Sequence, residues 1–188
     1  MTLLPSGLPT EVGSAELAAR HIFDKGHIQE STALGAPSRP NAQLFYPVPG
    51  HTVFSVSRLL GLKTDGAVQA NGVEVGAMPR ANGKAGRVLK GYSTLQAGQL
   101  RNVTVLDRGK ELWKLNVVSD EPLPPAHPTP FHAHVSGFLT LPEGAKHKEF
   151  YKNICEDIRA IAGDVRLRSI PFKPWENNGS PSAPEIAA

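Results

Sequence analysis

With 188 residues, 40% of them hydrophobic, the chain suits one domain whose core needs no staples. Its formal charge of +3 permits a polyanionic partner without demanding one, and 6% aromatics limit any base-stacking surface. The single cysteine, Cys155, excludes an intrachain disulfide framework and a thiolate zinc cluster. With no basic, apolar leader and no long apolar run, the chain is expected to be cytoplasmic and off the membrane.

Residues 1–13 read as an irregular lead-in containing Pro5, Gly7, Pro9 and Gly13. Ser14 is placed to cap a helix in which Leu17, Ala18, Ile22 and Phe23 form a short apolar stripe ending near Lys25-Gly26. Residues 26–41 are polar, with Gly35, Pro37 and Pro40, and predict a loop. Gln43–Tyr46 reads as a short strand broken by Pro47, Pro49 and Gly50. Thr52 then caps a second predicted helix carrying Val53, Val56, Leu59 and Leu60, although 52–56 also alternates like a strand. Residues 63–85 are rich in Gly, Ala and Asn, with a strand predicted only at Val73–Val75.

Arg87–Tyr92 is the next predicted strand. Val103–Asp107 and Leu112–Val118 follow as a hairpin around Arg108-Gly109-Lys110-Glu111. Residues 120–130 hold five prolines (122, 124, 125, 128 and 130) and predict extended chain outside any sheet interior. Residues 131–141 alternate as a strand does, and Lys146–Ala162 predicts a helix striped by Phe150, Ile154, Ile158 and Ile161 and closed by Gly163. Val165–Ile170 is a final strand, and 177–188 a flexible tail.

These elements predict an α+β fold: a mixed, mainly antiparallel sheet with helices packed on one face, a ferredoxin-like C-terminal half being one instance. Residues 1–176 form one domain with a loop-rich N-terminal half. The strand–helix–strand of the last third is expected to set its two strands parallel.

The strand 131–141 concentrates the chemistry. His132, His134 and Ser136 share one parity, so two imidazoles and a hydroxyl project from one face. Imidazole takes a proton from a 2′-hydroxyl or a water, and imidazolium donates one to a leaving oxygen. His134-Val-Ser136 resembles one of the paired His-x-Thr/Ser motifs of two-histidine phosphoesterases; the second is missing, since His51-Thr-Val53 has its hydroxyl one place early.

A basic strip supplies the other half of the reading. Arg80, Lys84, Arg87, Lys90 and Arg101 lie in or beside the Gly/Asn-rich segment, with Tyr92 interleaved, where backbone and cations can approach phosphates. The expected function is therefore binding or processing of RNA or another phosphodiester. A metal-independent nuclease would use His134 with His132 or His51 as acid and base, and Ser136 as a donor to phosphate. No cofactor is expected, because no carboxylate stands at a fixed spacing from His-x-His. The rival reading is a non-catalytic structural or adaptor subunit of a ribonucleoprotein or virion-like assembly, whose long Pro/Gly-rich segments a neighbour would order.

Overall fold

The computed structural model describes residues 3, 4, 6–78, 86–107, 110–120 and 131–168. In chain order the elements are β1 (Leu17–Ile22), β2 (Ile28–Gln29), β3 (Arg39–Pro40), β4 (Phe54–Arg58), α1 (Asp65–Ala77), β5 (Gly91–Gln96), α2 (Ala97–Asn102), β6 (Thr104–Asp107), β7 (Lys110–Lys114), β8 (Asn116–Ser119), β9 (His132–Ser136), α3 (His147–Ile161) and β10 (Arg166–Leu167). Six of the strands form one sheet in the order β10-β5-β1-β4-β9-β8, and two short hairpins, β2-β3 and β6-β7, stand apart. The fold is α+β.

Every described strand pair is antiparallel, so the sheet is not mixed. Following the pairs from β9 through β4, β1 and β5 to β10 shows that β9 and β10 do run the same way. Three strands stand between them, so they are not neighbours and the C-terminal half makes no ferredoxin-like unit by itself.

Strand parity explains where the helices sit. Ala18, Ile22, Phe54, Val56, Leu95, Val117, Ala133 and Val135 share a buried cluster with Tyr151, Ile154, Cys155 and Ile158 of α3. Fully burying an aliphatic side chain such as Ile158 stabilises the fold by about 1.5–3 kcal/mol. Cys155 is sealed within that cluster, and burial pushes its thiol up, as expected of an inert cysteine. Ala19 and Tyr92 point the other way and pack against Val68 of α1 with Leu59 and Leu62. The helices thus divide between the two faces rather than sharing one.

Several local expectations change. Residues 17–22 form β1 rather than a helix, and 54–58 form β4 rather than a second helix. The Gly- and Asn-rich segment holds α1 rather than a strand at 73–75. The strand expected at Gln43–Tyr46 is instead a short 3₁₀ turn, Ala42–Phe45, with Tyr46 as its C-cap, and the strand expected from Arg87 begins at Gly91. The hairpin expected at 103–118 is β6-β7, after which β8 joins the main sheet. The expected flexible tail lies outside the described residues.

α1 is capped by Thr64, whose hydroxyl oxygen accepts from the Ala67 N–H at 3.2 Å. Thr64→Ala is expected to cost about 1 kcal/mol, read from the urea midpoint; no change would show that water replaces the cap. Gly72 and Gly76 let α1 lie close to its neighbours. A Cβ at Gly72 would strike the His21 ring, and one at Gly76 the Arg87 carbonyl. At the end of β9, Gly137 turns the chain with φ 102°, a backbone region side chains avoid.

α1 covers β1 and β5. On the same face, β4 and β9 present Ser55, Ser57, His132 and His134 to an open cleft.

Candidate functional site

The site begins with strand register. In the β8–β9 pair, Asn116 faces Ser136 and Ser119 faces Ala133. The ladder continues one step beyond, where the Asp120 N–H donates to the His132 carbonyl at 3.1 Å. Asp120 is therefore the cross-strand neighbour of His132 on the face that carries both histidines, close enough for side chains to meet. Asp120 Oδ2 lies 3.2 Å from His134 Nδ1 and 3.7 Å from His132 Nδ1. His132 Nδ1 is also 3.0 Å from the Asp120 carbonyl oxygen. The two rings meet edge to face with centroids 4.5 Å apart. His132 is 12% exposed, His134 28% and Asp120 53%, so the corner opens to solvent through the carboxylate.

The two histidines of this corner help line a cleft of about 1140 Å³, somewhat larger than the usual small-ligand pocket. Five of the chain's seven histidines line it: His21, His27, His51, His132 and His134. So do Arg20, Lys25, Arg87 and Lys90, against Asp24 as the one acidic residue among the described lining. The cleft's cations focus a positive potential at its low-dielectric walls.

Arg20 is the unusual member. β1 pairs with β4 only at Ala18↔Arg58 and Ala19↔Ser57 among the described residues, and the Arg20 guanidinium fills the gap beyond. Its Nε donates to the Leu44 carbonyl at 3.1 Å and its Nη1 to the Ser55 carbonyl at 2.7 Å, while the group stands over the Phe54 ring. Among the described residues no carboxylate bonds to it. Burial, helped by Arg87, pushes its pKa down to about 10. Desolvation without a countercharge is costly for a cation, and an anion entering the cleft would relieve it. Burial lowers His27 as well, and burial with the nearby Arg20 and Arg87 charges holds His21 near 4, against the weaker pull of the Val68 carbonyl.

The sequence candidates are placed as follows. His132, His134, His51, Arg87 and Lys90 come together around the cleft. Arg87 stacks over Phe23, 4.1 Å from its centroid. Ser136 shares the histidine face, but its hydroxyl donates to the Asn116 carbonyl at 3.4 Å and lies outside the cleft lining. Tyr92 is 1% exposed, with its hydroxyl donating to Asp65, which leaves no ring face for a base. Arg101 is spent on structure, donating to the Val12 carbonyl at 2.7 Å and to Asn116 Oδ1 at 2.9 Å. Arg80 and Lys84 lie outside the described residues.

Sequence reasoning missed Asp120 and Arg20. Asp120 reads as the first residue of a proline-rich loop, yet antiparallel pairing of the strands on either side of that loop sets the closing carboxylate opposite the opening histidine. Arg20 sits inside the stretch read as a helix.

Fold and site together define an α+β protein with a cationic, imidazole-lined cleft at the gap between β1 and β4 of an antiparallel sheet, with His132 and His134 on the face under α1 and Arg20 on the strand parity that faces α3. No protein-family model, curated protein or solved structure matches the chain. Among the described residues no helix is long and apolar enough to cross a membrane.

Proposed function

We propose that this protein binds and cleaves a phosphodiester, with single-stranded RNA as the ligand class. The observation that carries the reading is Arg20, a half-buried guanidinium with no carboxylate partner among the described residues, on the wall of a cleft that also presents His132, His134 and His51. Arg20, Lys25, Arg87 and Lys90 hold phosphate oxygens; cations placed this way contribute most of the affinity for a nucleic-acid strand.

The chemistry divides across the cleft. His132 and His134 touch each other, so no phosphate fits between their rings, and the two cannot act from opposite sides of one phosphorus. The Asp120–His132–His134 corner therefore takes the proton from the attacking 2′-hydroxyl. The 2′-oxygen bonds to phosphorus, the P–O5′ bond breaks, and the departing 5′-oxygen receives a proton from His51. Arg20 faces the charge that grows on the non-bridging oxygens.

The test uses a labelled RNA 12-mer and the full chain. Wild type is expected to bind with affinity that falls as salt rises, with a log–log slope of about −0.7 for each phosphate contacted. Arg87→Gln with Lys90→Gln should flatten that slope by one to two contacts. His134→Ala should keep binding and lose cleavage by about 10²-fold or more. Salt-independent binding, or equal binding by the double variant, overturns the reading and returns weight to a non-catalytic assembly subunit.

A further inference from the structure

We infer that Asp120, His132 and His134 form a binding site for one first-row divalent cation, zinc being the reference ion. The ion's part in cleavage rests on the phosphodiester reading above; the binding itself does not.

The argument is geometric. One ligand atom from each residue falls within 4.8 Å of the other two. A tetrahedral ion with bonds of about 2.1 Å needs ligand atoms about 3.4 Å apart. The distances from Asp120 Oδ2 to the two Nδ1 atoms, 3.2 and 3.7 Å, straddle that value, and loading the site draws the three ligand atoms in from the 4.8 Å within which they now lie. In the loaded state each Nδ1 offers its lone pair and the ring proton moves to Nε2. The Asp120 carbonyl, 3.0 Å from His132 Nδ1, stands beside the site as a further oxygen.

The scaffold that holds these atoms is stiff. His132 and His134 are two residues apart on β9, bonded on one side to β4 and on the other to β8. Asp120 continues the β8 ladder, and its neighbour Ser119 accepts from Arg58 Nη1 at 3.3 Å. Sites carried on paired strands keep their ligands better aligned than sites on loops.

The donor set selects the ion class. Two imidazoles and one carboxylate suit zinc, iron(II), cobalt(II) or manganese, whereas magnesium and calcium favour oxygen throughout. Three protein ligands leave a position for water or substrate, the pattern of reactive rather than structural sites. His132 and His134 line the same cleft as Arg20 and Lys90. A divalent ion held by these three residues, Asp120, His132 and His134, would lower the pKa of its bound water and so supply a base for the proton-taking role given above to this corner. The sequence-based expectation of metal-free cleavage rested on a missing carboxylate, and Asp120 supplies it.

The test strips the full-length protein with chelator, then titrates it with zinc chloride by calorimetry and with cobalt chloride by visible absorption. One equivalent per chain is expected, with a cobalt spectrum of nitrogen and oxygen coordination. Asp120→Asn and His134→Ala should each weaken uptake by at least about 100-fold, the upper end for losing even an outer partner of a metal site. His27→Gln, a cleft histidine outside the triad, should leave it unchanged. Asp120→Asn keeps size and shape at an exposed position, so loss of uptake there does not reflect unfolding. Zinc uptake that is absent, or indifferent to Asp120→Asn, overturns the site. Salt-dependent RNA binding in the same EDTA-treated sample then shows that the phosphodiester reading survives alone. Stoichiometric uptake at the triad with no response to RNA upholds the cation site and sinks the phosphodiester reading.

Discussion

Arg58→Met is expected to destabilise the protein by about 3–5 kcal/mol, a large part of the roughly 5–15 kcal/mol that holds a domain folded. Arg58 is 0% exposed and Glu16 5%. The guanidinium donates in bidentate fashion, Nε to Glu16 Oε1 at 2.6 Å and Nη2 to Oε2 at 2.8 Å. Nη1 reaches the Pro9 carbonyl at 2.5 Å and Ser119 Oγ at 3.3 Å, and Nη2 the Glu11 carbonyl at 3.4 Å. One side chain on β4 thus ties the lead-in, the start of β1 and the end of β8. Methionine fills similar space but strands the Glu16 carboxylate without a countercharge, and that uncompensated charge is the main cost. The double variant Arg58→Met with Glu16→Leu removes both charges and should recover much of the loss, leaving the cost of the orphaned carbonyls at Pro9 and Glu11. Urea denaturation of wild type, both singles and the double closes the cycle. A single Met variant within about 1 kcal/mol of wild type would show that the pair exchanges freely with water and holds nothing together.

The elements legible in the sequence are those with one buried face. Along 131–136, Ala133 and Val135 are buried while His132, His134 and Ser136 are half-buried, so the alternation seen in sequence is the alternation in the sheet. In α3 the apolar stripe meets α2, the 3₁₀ turn at 42–45 and the core, and its periodicity survives because its other side is solvated.

β1 was illegible for the converse reason. It is central, with β5 and β4 on its edges and α3 and α1 over its faces, so Ala18, Ala19, His21 and Ile22 are all buried and nothing alternates. Local spacing and the helix propensity of alanine then point the wrong way. α1 failed in the opposite direction. Its Gly72, Gly76 and Asn71 lower helix propensity, yet the glycines are what allow the close approach to His21 and to the Arg87 backbone. Tertiary packing overrides propensity in both cases. Half of the candidate site was legible because His132 and His134 are neighbours on one strand. Asp120 and Arg20 reach it through pairing across loops, which no local pattern records.

Stability is expected to fall as the pH drops from about 6.5 toward 4, with His21 setting much of the slope. The ring is buried beneath α1, and with its proton on Nε2 it donates to the Val68 carbonyl at 3.2 Å. Burial is the main cause of its low pKa, near 4, and the Arg20 and Arg87 charges act the same way. In the unfolded chain the same ring takes a proton at the ordinary value of about 6.5. Between those two values the unfolded state binds more protons, so stability is complete above 6.5, declines through the window, and loses nothing further below 4. Between pH 7 and pH 5 the loss amounts to about 2 kcal/mol. Urea midpoints of wild type and His21→Gln at those two pH values isolate the effect, because the smaller contribution of His27 is present in both proteins. The variant should be less stable at pH 7 and show the shallower pH dependence. Parallel slopes would mean that the folded ring already accepts a proton and that this wall of the cleft is wet. An anion seated on Arg20 and Arg87 cancels part of their repulsion of a charged ring. Saturating inorganic phosphate is accordingly expected to shallow the wild-type slope and leave that of His21→Gln unchanged.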